Sequence, residues 1–268
     1  MLNPVETTVL CPVNDGESKV IVSICRELGT DLRISTQPWG ATLDREPPAN
    51  LAGLKPCVII VEMPSIELEE KLRNAGHQVF VVDHHFYPAS GMDRRKSISS
   101  LEQVADLLGY SLTRWEAGIA INDRDYIFGL LDAGYDMNEI LAIRRFDLEA
   151  QGISQQEIES VREALRTAPV EAGITILRLK SGKAGFAQDF LVMENPREVR
   201  DLLVLTGNPV TKAQFYGDPE KVNRLAEIGE WMGGGKKSKF WGTNHPDLTE
   251  IFRRLGLRNI KNQISKIK

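Results

Sequence analysis

The run Gln78-Val79-Phe80-Val81-Val82 stops at Asp83-His84-His85, and this junction constrains the fold more than any other feature of the chain. A short Val-rich run reads as a strand buried on both faces, as in a parallel sheet covered by helices. Functional groups of such sheets gather outside the carboxyl ends of the strands. An acid and two imidazoles at that edge suit a metal ion and a phosphate. Without a cation, a buried unpaired carboxylate there would cost several kcal/mol, roughly.

The rest of the first half alternates strand and helix patterns. Thr8-Val9-Leu10 reads as a strand, followed by a helix with Val20, Ile24, Cys25 and Leu28 on one face. Asp31 to Ser35 is a second short strand, and Cys57 to Val61 an apolar one that ends at Glu62. Ile66 to Ala75 is a helix with Ser65 in the capping position. Ser99-Ser100 opens a helix over Leu101 to Leu108, which Gly109 stops. This alternation predicts an α/β protein with a doubly wound, mainly parallel sheet over residues 1–125. A helical linker over 126–168 follows, and then a smaller α/β accessory domain over 169–268. In that last part Ile174 to Lys180, Phe186 to Met193 and Leu202 to Thr206 read as strands, with a turn at Ser181-Gly182-Lys183. Pro219 to Trp231 reads as an amphipathic helix running into a loop at Gly233-Gly234-Gly235.

Composition removes several classes. The chain has 268 residues, 42% hydrophobic and 26% charged, which is neither disordered nor fibrous. No apolar run reaches the roughly 18 residues of a membrane span, and the first residues lack a signal-peptide pattern. Cys11, Cys25 and Cys57 have no metal-type spacing, so reduced thiols and a cytoplasmic location are expected. A net charge of -4 excludes a uniformly basic surface. Basic residues do cluster locally, at Lys236, Lys237 and Lys239 and at Arg253, Arg254, Arg258, Lys261, Lys266 and Lys268. Arg144 and Arg145 read as solvated, and Trp39 and Trp115 as packing anchors.

Taken together, the strand ends carry Cys11, Asp15 and Glu17, then Glu62, then Asp83, His84 and His85. The helical zone adds Asp123 and Asp125. Carboxylates brought to one sheet edge repel one another, and each needs a proton or a cation. Divalent metals resolve that repulsion, and oxygen and imidazole donors suit manganese or magnesium.

This pattern resembles the DHH phosphoesterase family, which carries His-x-x-x-Asp-x-Asp, a second-motif Asp, the Asp-His-His triplet and a fourth-motif Asp. Here Cys11 stands in the place of the first-motif His, Asp15 and Glu17 in the places of the two aspartates, and Glu62 in the place of the second-motif Asp. Asp83, His84 and His85 match outright. Asp123 is the best match to the fourth motif, with Asp125 as the competing register. Ser99-Ser100-Leu101-Glu102-Gln103 resembles the helix start after the triplet. Members of the RecJ and oligoribonuclease type continue into an accessory domain with a glycine-rich loop and a His. Here Lys237 falls on that His, and Phe240-Trp241 on two alanines.

The resemblance implies a metal-dependent phosphoesterase acting on a short oligonucleotide, a nucleotide or a related small phosphate. Its metal ligands would be Asp15, Glu17, Glu62, His84, Asp123 and Cys11, the last a softer donor that favours zinc or iron. Asp83 and His85 would be catalytic. Gly233, Gly234, Gly235, Lys236, Lys237 and Trp241 would bind the substrate. Mn2+ is the expected cofactor, with Mg2+ or a softer ion as alternatives. A short nucleic acid or nucleotide is the expected partner, with no membrane, and a homodimer is the self-association to test. Two other functions fit the same residues: a non-catalytic nucleotide or nucleic-acid binder with a diverged site, and a polyphosphate or pyrophosphate hydrolase.

Overall fold

A computed structural model describes residues 1–38, 40–87, 90–180, 183–196 and 198–258. Trp39, the turn residues 181–182 and the basic residues Lys261, Lys266 and Lys268 lie outside the described residues. The chain divides into two units, one of residues 1–85, 94–124 and 134–152, the other of residues 86–93, 125–133 and 153–268.

The first unit is built on strands β1 (Thr7–Pro12), β2 (Asp31–Ser35), β3 (Cys57–Val61) and β4 (Gln78–Val82), in the order β2-β1-β3-β4 and all parallel. Its helices are α1 (Gly16–Leu28), α2 (Ile66–Asn74), α3 (Ser100–Leu108), the first part of α4 (Arg114–Asp132) and α5 (Met137–Ala150). Leu10, Val58 and Ile60 pack with Leu68 and Leu72 of α2, while α1 packs on α3 and α5. The expected parallel α/β sheet is thus present. Its apolar strands are nearly free of solvent because helices cover them. From β1 the chain steps one way to β2 and the other way to β3. The carboxyl ends of β1 and β3 therefore flank the switch point where α/β sheets hold their ligands.

Local signals explain the helix ends. Ser99 accepts from the Glu102 N–H while Glu102 accepts from the Ser99 N–H, a full capping box at α3. Gly109 closes that helix in the left-handed conformation. Asp15 caps α1 in the same reciprocal way with Ser18. Ser65 does not cap α2 with its side chain; instead its N–H donates to Glu69. Arg144 is not solvated but buried beside Asp147, whose carboxylate also accepts from the Gly16 N–H.

The second unit contains β5 (Phe86–Tyr87), β6 (Met92–Asp93), α6 (Gln155–Arg166), β7 (Val170–Glu171), β8 (Ile174–Leu179), α7 (Ala187–Glu194), β9 (Asp201–Thr206), β10 (Lys212–Gly217), α8 (Pro219–Leu225), β11 (Trp231–Gly234), β12 (Lys239–Thr243) and α9 (Leu248–Leu255). Its sheet runs β6-β5-β11-β12-β10-β9-β8-β7, and among the described residues only β8 and β9 pair in parallel. Three expectations change here. Phe186 to Met193 is mostly helix α7, not a strand. The helix from Pro219 ends at Leu225, and Trp231 begins a strand. The glycine run is not a free loop, because Gly233 and Gly234 pair with Phe240 and Lys239.

Trp241 is fully buried in the core of this unit, with Ile176, Leu203, Phe215, Phe252 and Leu255. A substrate base cannot stack on it, so its assignment to substrate binding is withdrawn. Trp241→Ala should lower stability by about 3–5 kcal/mol, the usual loss for a buried aromatic. Urea unfolding checks this, and an unchanged midpoint would place the tryptophan outside the core.

Candidate metal centre

Four donor residues of the first unit converge. Glu17, Glu62, His84 and Asp123 each offer a ligand atom, and these atoms lie within 4.8 Å of one another. Glu62, His84 and His85 form an overlapping group. Glu17 comes from the first turn of α1, Glu62 from the end of β3, the histidines from the end of β4, and Asp123 from α4.

The backbone is shaped to bring them there. Glu62 adds one more rung to the sheet, its N–H donating to Val82 O at 2.9 Å, and turns with φ of +50°. A non-glycine residue held in that region stores strain of order 1–3 kcal/mol, a pattern common at functional sites. Tyr126, with φ of +60°, breaks α4 three residues after Asp123. Asp125 belongs to the other unit, close beside Gly235, so Asp123 is the register that reaches the cluster.

The supporting contacts are specific. Ser100 Oγ donates to Glu62 Oε1 at 2.7 Å, and the Leu101 N–H at the start of α3 donates to Glu17 Oε1 at 2.9 Å. A carboxylate at a helix N-terminus meets both an orphan donor and the positive end of the dipole. Asp83 is 1% exposed and stands behind the cluster. Its Oδ1 accepts from the His85 N–H at 2.9 Å and lies 3.0 Å from His85 Nδ1. Gln103 Nε2 donates to Asp83 O at 3.1 Å. Asp83 is therefore a positioning residue for His85, a role distinct from the catalytic one expected of it. Ser100 and Gln103 were absent from the expected site residues, although the helix-start pattern Ser99 to Gln103 contained both.

The contact between His84 and Asp123 bears on whether this cluster is a metal site. His84 Nε2 and Asp123 Oδ2 are 2.8 Å apart, and Glu62 Oε1 is 3.3 Å from the same nitrogen. Yet His84 Nε2 and Asp123 Oδ2 are both buried with no hydrogen-bond partner. Buried polar atoms are seldom left so. Atoms that crowd one point without bonding to each other are what a shared cation requires. Three carboxylates and an imidazole form a hard donor set with one borderline nitrogen, which fits manganese better than a thiolate metal.

Electrostatics agrees with that fit. Burial, then the charges of Asp123 and Glu62, push Asp15 up to about 7. The same causes hold Glu17 well above the ordinary carboxylate range. Burial alone would raise Glu62, but the charge of His85 and the contacts of His84 bring it down to about 2. Burial alone would lower His84, yet Asp123 and Glu62 raise it well above the ordinary imidazole value. The cluster therefore holds protons where a cation would otherwise supply positive charge.

Two expected ligands stand apart from the convergent atoms. Cys11 is fully buried; its Sγ donates to Pro12 O at 3.2 Å and is in neither donor group. Burial, then Cys25 and the nearby carboxylates, push its thiol up, so the thiolate a metal needs is disfavoured. Cys11 is thus corrected from ligand to core residue. Asp15 is occupied as the α1 cap, accepting from the Ser18 N–H at 2.8 Å, and acts on the cluster through its charge.

The glycines and lysines of the second unit have their own reasons. A Cβ at Gly233 would meet the Phe240 ring at 2.7 Å, Gly234 has φ of +98°, and a Cβ at Gly235 would meet Asp125 at 2.4 Å. Lys237 pairs with Asp132 at 2.6 Å, while Lys236 is exposed. Arg253 and Arg254 pair with Glu250, and Arg254 also with Glu227. Charge at those positions is largely neutralised at home.

No protein-family model matches the chain, and no curated protein matches it. Solved structures give distant likenesses. The crystal structure of exonuclease RecJ bound to manganese has 14% identity and a TM-score of 0.46, covering 98% of this chain and 90% of that one. RecJ in complex with Mn2+ from Thermus thermophilus has 15% identity and a TM-score of 0.46; 93% of this chain spans 51% of that one, about half its length. An uncharacterized protein from Helicobacter pylori has 11% identity and a TM-score of 0.30, covering 96% and 97%. Among the described residues no helix is long and apolar enough to cross a membrane.

Proposed function

We propose that the protein is a metal-dependent phosphoesterase whose substrate is a short oligonucleotide, a nucleotide or a related small phosphate. One observation carries the reading: Glu17, Glu62, His84 and Asp123 converge, with two buried ligand atoms that lack hydrogen-bond partners. Those four residues would hold the ion, and manganese is the ion of choice. A bound divalent ion supplies Lewis acidity and a water made acidic enough to attack at neutral pH.

The chain's own residues do the rest. Asp123 and Glu62 place negative charge on either side of His84 Nε2, which fixes the ring. His85 is held by Asp83 through Nδ1, and a carboxylate can only accept there, so Nδ1 carries the proton. Burial alone would lower His85, but Glu62 and Asp83 raise it above its ordinary value. That shift favours the protonated ring, which is suited to donate from Nε2 to a phosphoryl or leaving oxygen. The side chains of His85 and Asp123 are 19% and 26% exposed, so substrate has access to this edge.

A hydrolysis panel with added manganese tests the reading, using short oligonucleotides, dinucleotides and polyphosphate. Turnover of at least one phosphoester is expected. Asp83→Asn should lower it by about 10–100-fold, as loss of a supporting partner does, without removing the metal. No turnover of any member, with the protein folded and manganese present, would overturn the proposal.

A further inference from the structure

Glu69, in the first half of α2, is a buried acid outside the donor set. It is 2% exposed. Its Oε1 accepts from the Ser65 N–H at 3.3 Å, three residues beyond Glu62. Both oxygens accept from Arg94 Nη2, at 2.8 and 2.7 Å. The exposed Arg73 guanidinium approaches the same carboxylate at 3.7 Å. Arg94 also acts through its main chain. The chain leaves the first unit after His85 and returns to it at Arg94. There the Arg94 N–H donates to His85 O at 3.0 Å and joins the two ends of the excursion. One carboxylate thus ties the loop behind Glu62 to the segment that closes on His85.

Stability alone explains this arrangement poorly. Arg94 Nε is buried with no hydrogen-bond partner, so the burial of the guanidinium is only partly compensated. Apolar side chains of similar volume often serve stability as well as a buried ion pair, or better. Position explains the pair better. Glu62 turns with φ of +50°, and such a conformation persists only where the surroundings over-determine it. The rung from the Glu62 N–H to Val82 O holds it from the side of β4. The contact of Ser65 with Glu69 holds the loop that follows it. Groups that orient metal ligands from behind change affinity or activity by about 10–100-fold when lost.

We infer that Glu69 and Arg94 are positioning residues of the metal centre, which hold the loop of Glu62 and the segment of His84 and His85 in place before the ion arrives. Their service to catalysis rests on the phosphoester reading above, whereas the tie between the two segments does not. Neither residue touches the ion or the substrate in this role.

The double variant Glu69→Met with Arg94→Met removes both charges and keeps unbranched side chains. Its urea midpoint should stay at the wild-type value or rise. In EDTA the amides at positions 62 and 94 should exchange with deuterium about ten-fold faster than in the wild type, with the amides of β1 unchanged. Manganese titrated into chelator-stripped protein should bind with a Kd raised by about 10–100-fold. Glu69→Gln keeps an acceptor for the Ser65 N–H but loses the charge facing Arg94. Its Kd should fall between those of the wild type and the double variant, and it carries the test should the double variant fail to fold. Unchanged exchange at the two positions overturns the inference. So does a wild-type Kd in the folded variant, whether its midpoint holds or falls. A wild type that takes up no manganese removes the phosphoesterase reading, and exchange in EDTA still decides the tie.

Discussion

Glu17→Gln should abolish manganese-dependent hydrolysis, a loss beyond the roughly 100-fold expected of a supporting partner, while leaving the metal-free protein as stable as the wild type or more so. The side chain is 3% exposed, and burial together with Asp123 and Glu62 already favours its protonated form. Glutamine keeps the shape and can still accept from the Leu101 N–H, but it brings no charge to the cation. A residue that lowers stability while serving the site behaves in this way. Measuring kcat/KM beside the urea midpoint checks it. A variant with intact turnover and a lower midpoint would make Glu17 a structural acid.

Manganese should stabilise the protein much more at about pH 8 than at about pH 5.5, because ligands must release protons before the ion enters. Asp15 titrates at about 7 when folded against an ordinary value of 3.8, so the folded state binds the extra proton between those values. Stability from Asp15 and Glu17 therefore falls as pH rises through that window. His84 adds stability that is complete below its ordinary 6.5 and lost as pH climbs through its raised folded value. Glu62 has the opposite sign, and its contribution disappears only as pH falls from 4.5 toward about 2. Between weakly acidic and weakly basic pH, then, the metal-free protein weakens while metal affinity grows. At a free manganese concentration about 100-fold above Kd, the added stability at about pH 8 is about 2.7 kcal/mol. Thermal unfolding at the two pH values checks this, and an equal shift at both would separate the ion from these protons.

Much of the centre could be read in the sequence because its strands are apolar; β3 is almost wholly buried, whereas β4, expected to be buried on both faces, is buried only at Val82. β3 is an apolar run and so is β4 after Gln78, and the first polar residue after each, Glu62 and Asp83, lies at the carboxyl edge. The start of α3 at Ser99-Ser100 was legible because a capping serine is a local signal. Roles within the centre were not, because they depend on directions that spacing does not encode. Asp83 points back to His85, and Cys11 into the core. The second unit was harder. The buried stretch Phe186 to Met193 is too short for periodicity to separate helix from strand. β5 and β6 are two residues each and belong to a sheet whose next strand in the chain, β7, begins only at Val170. The glycine run proved to be a packing device for Phe240, Ser238 and Asp125. Trp241, expected to bind substrate, is core, because adjacent Phe240 and Trp241 face opposite sides of the sheet.

The most direct test of the metal centre is calorimetric titration of manganese into chelator-stripped protein at neutral pH, with proton release followed in two buffers. One or two ions should bind with release of protons, and Asp123→Asn should lose that binding while remaining folded. A folded wild type that takes up no divalent ion, or an Asp123→Asn variant that binds as well as the wild type, would contradict it.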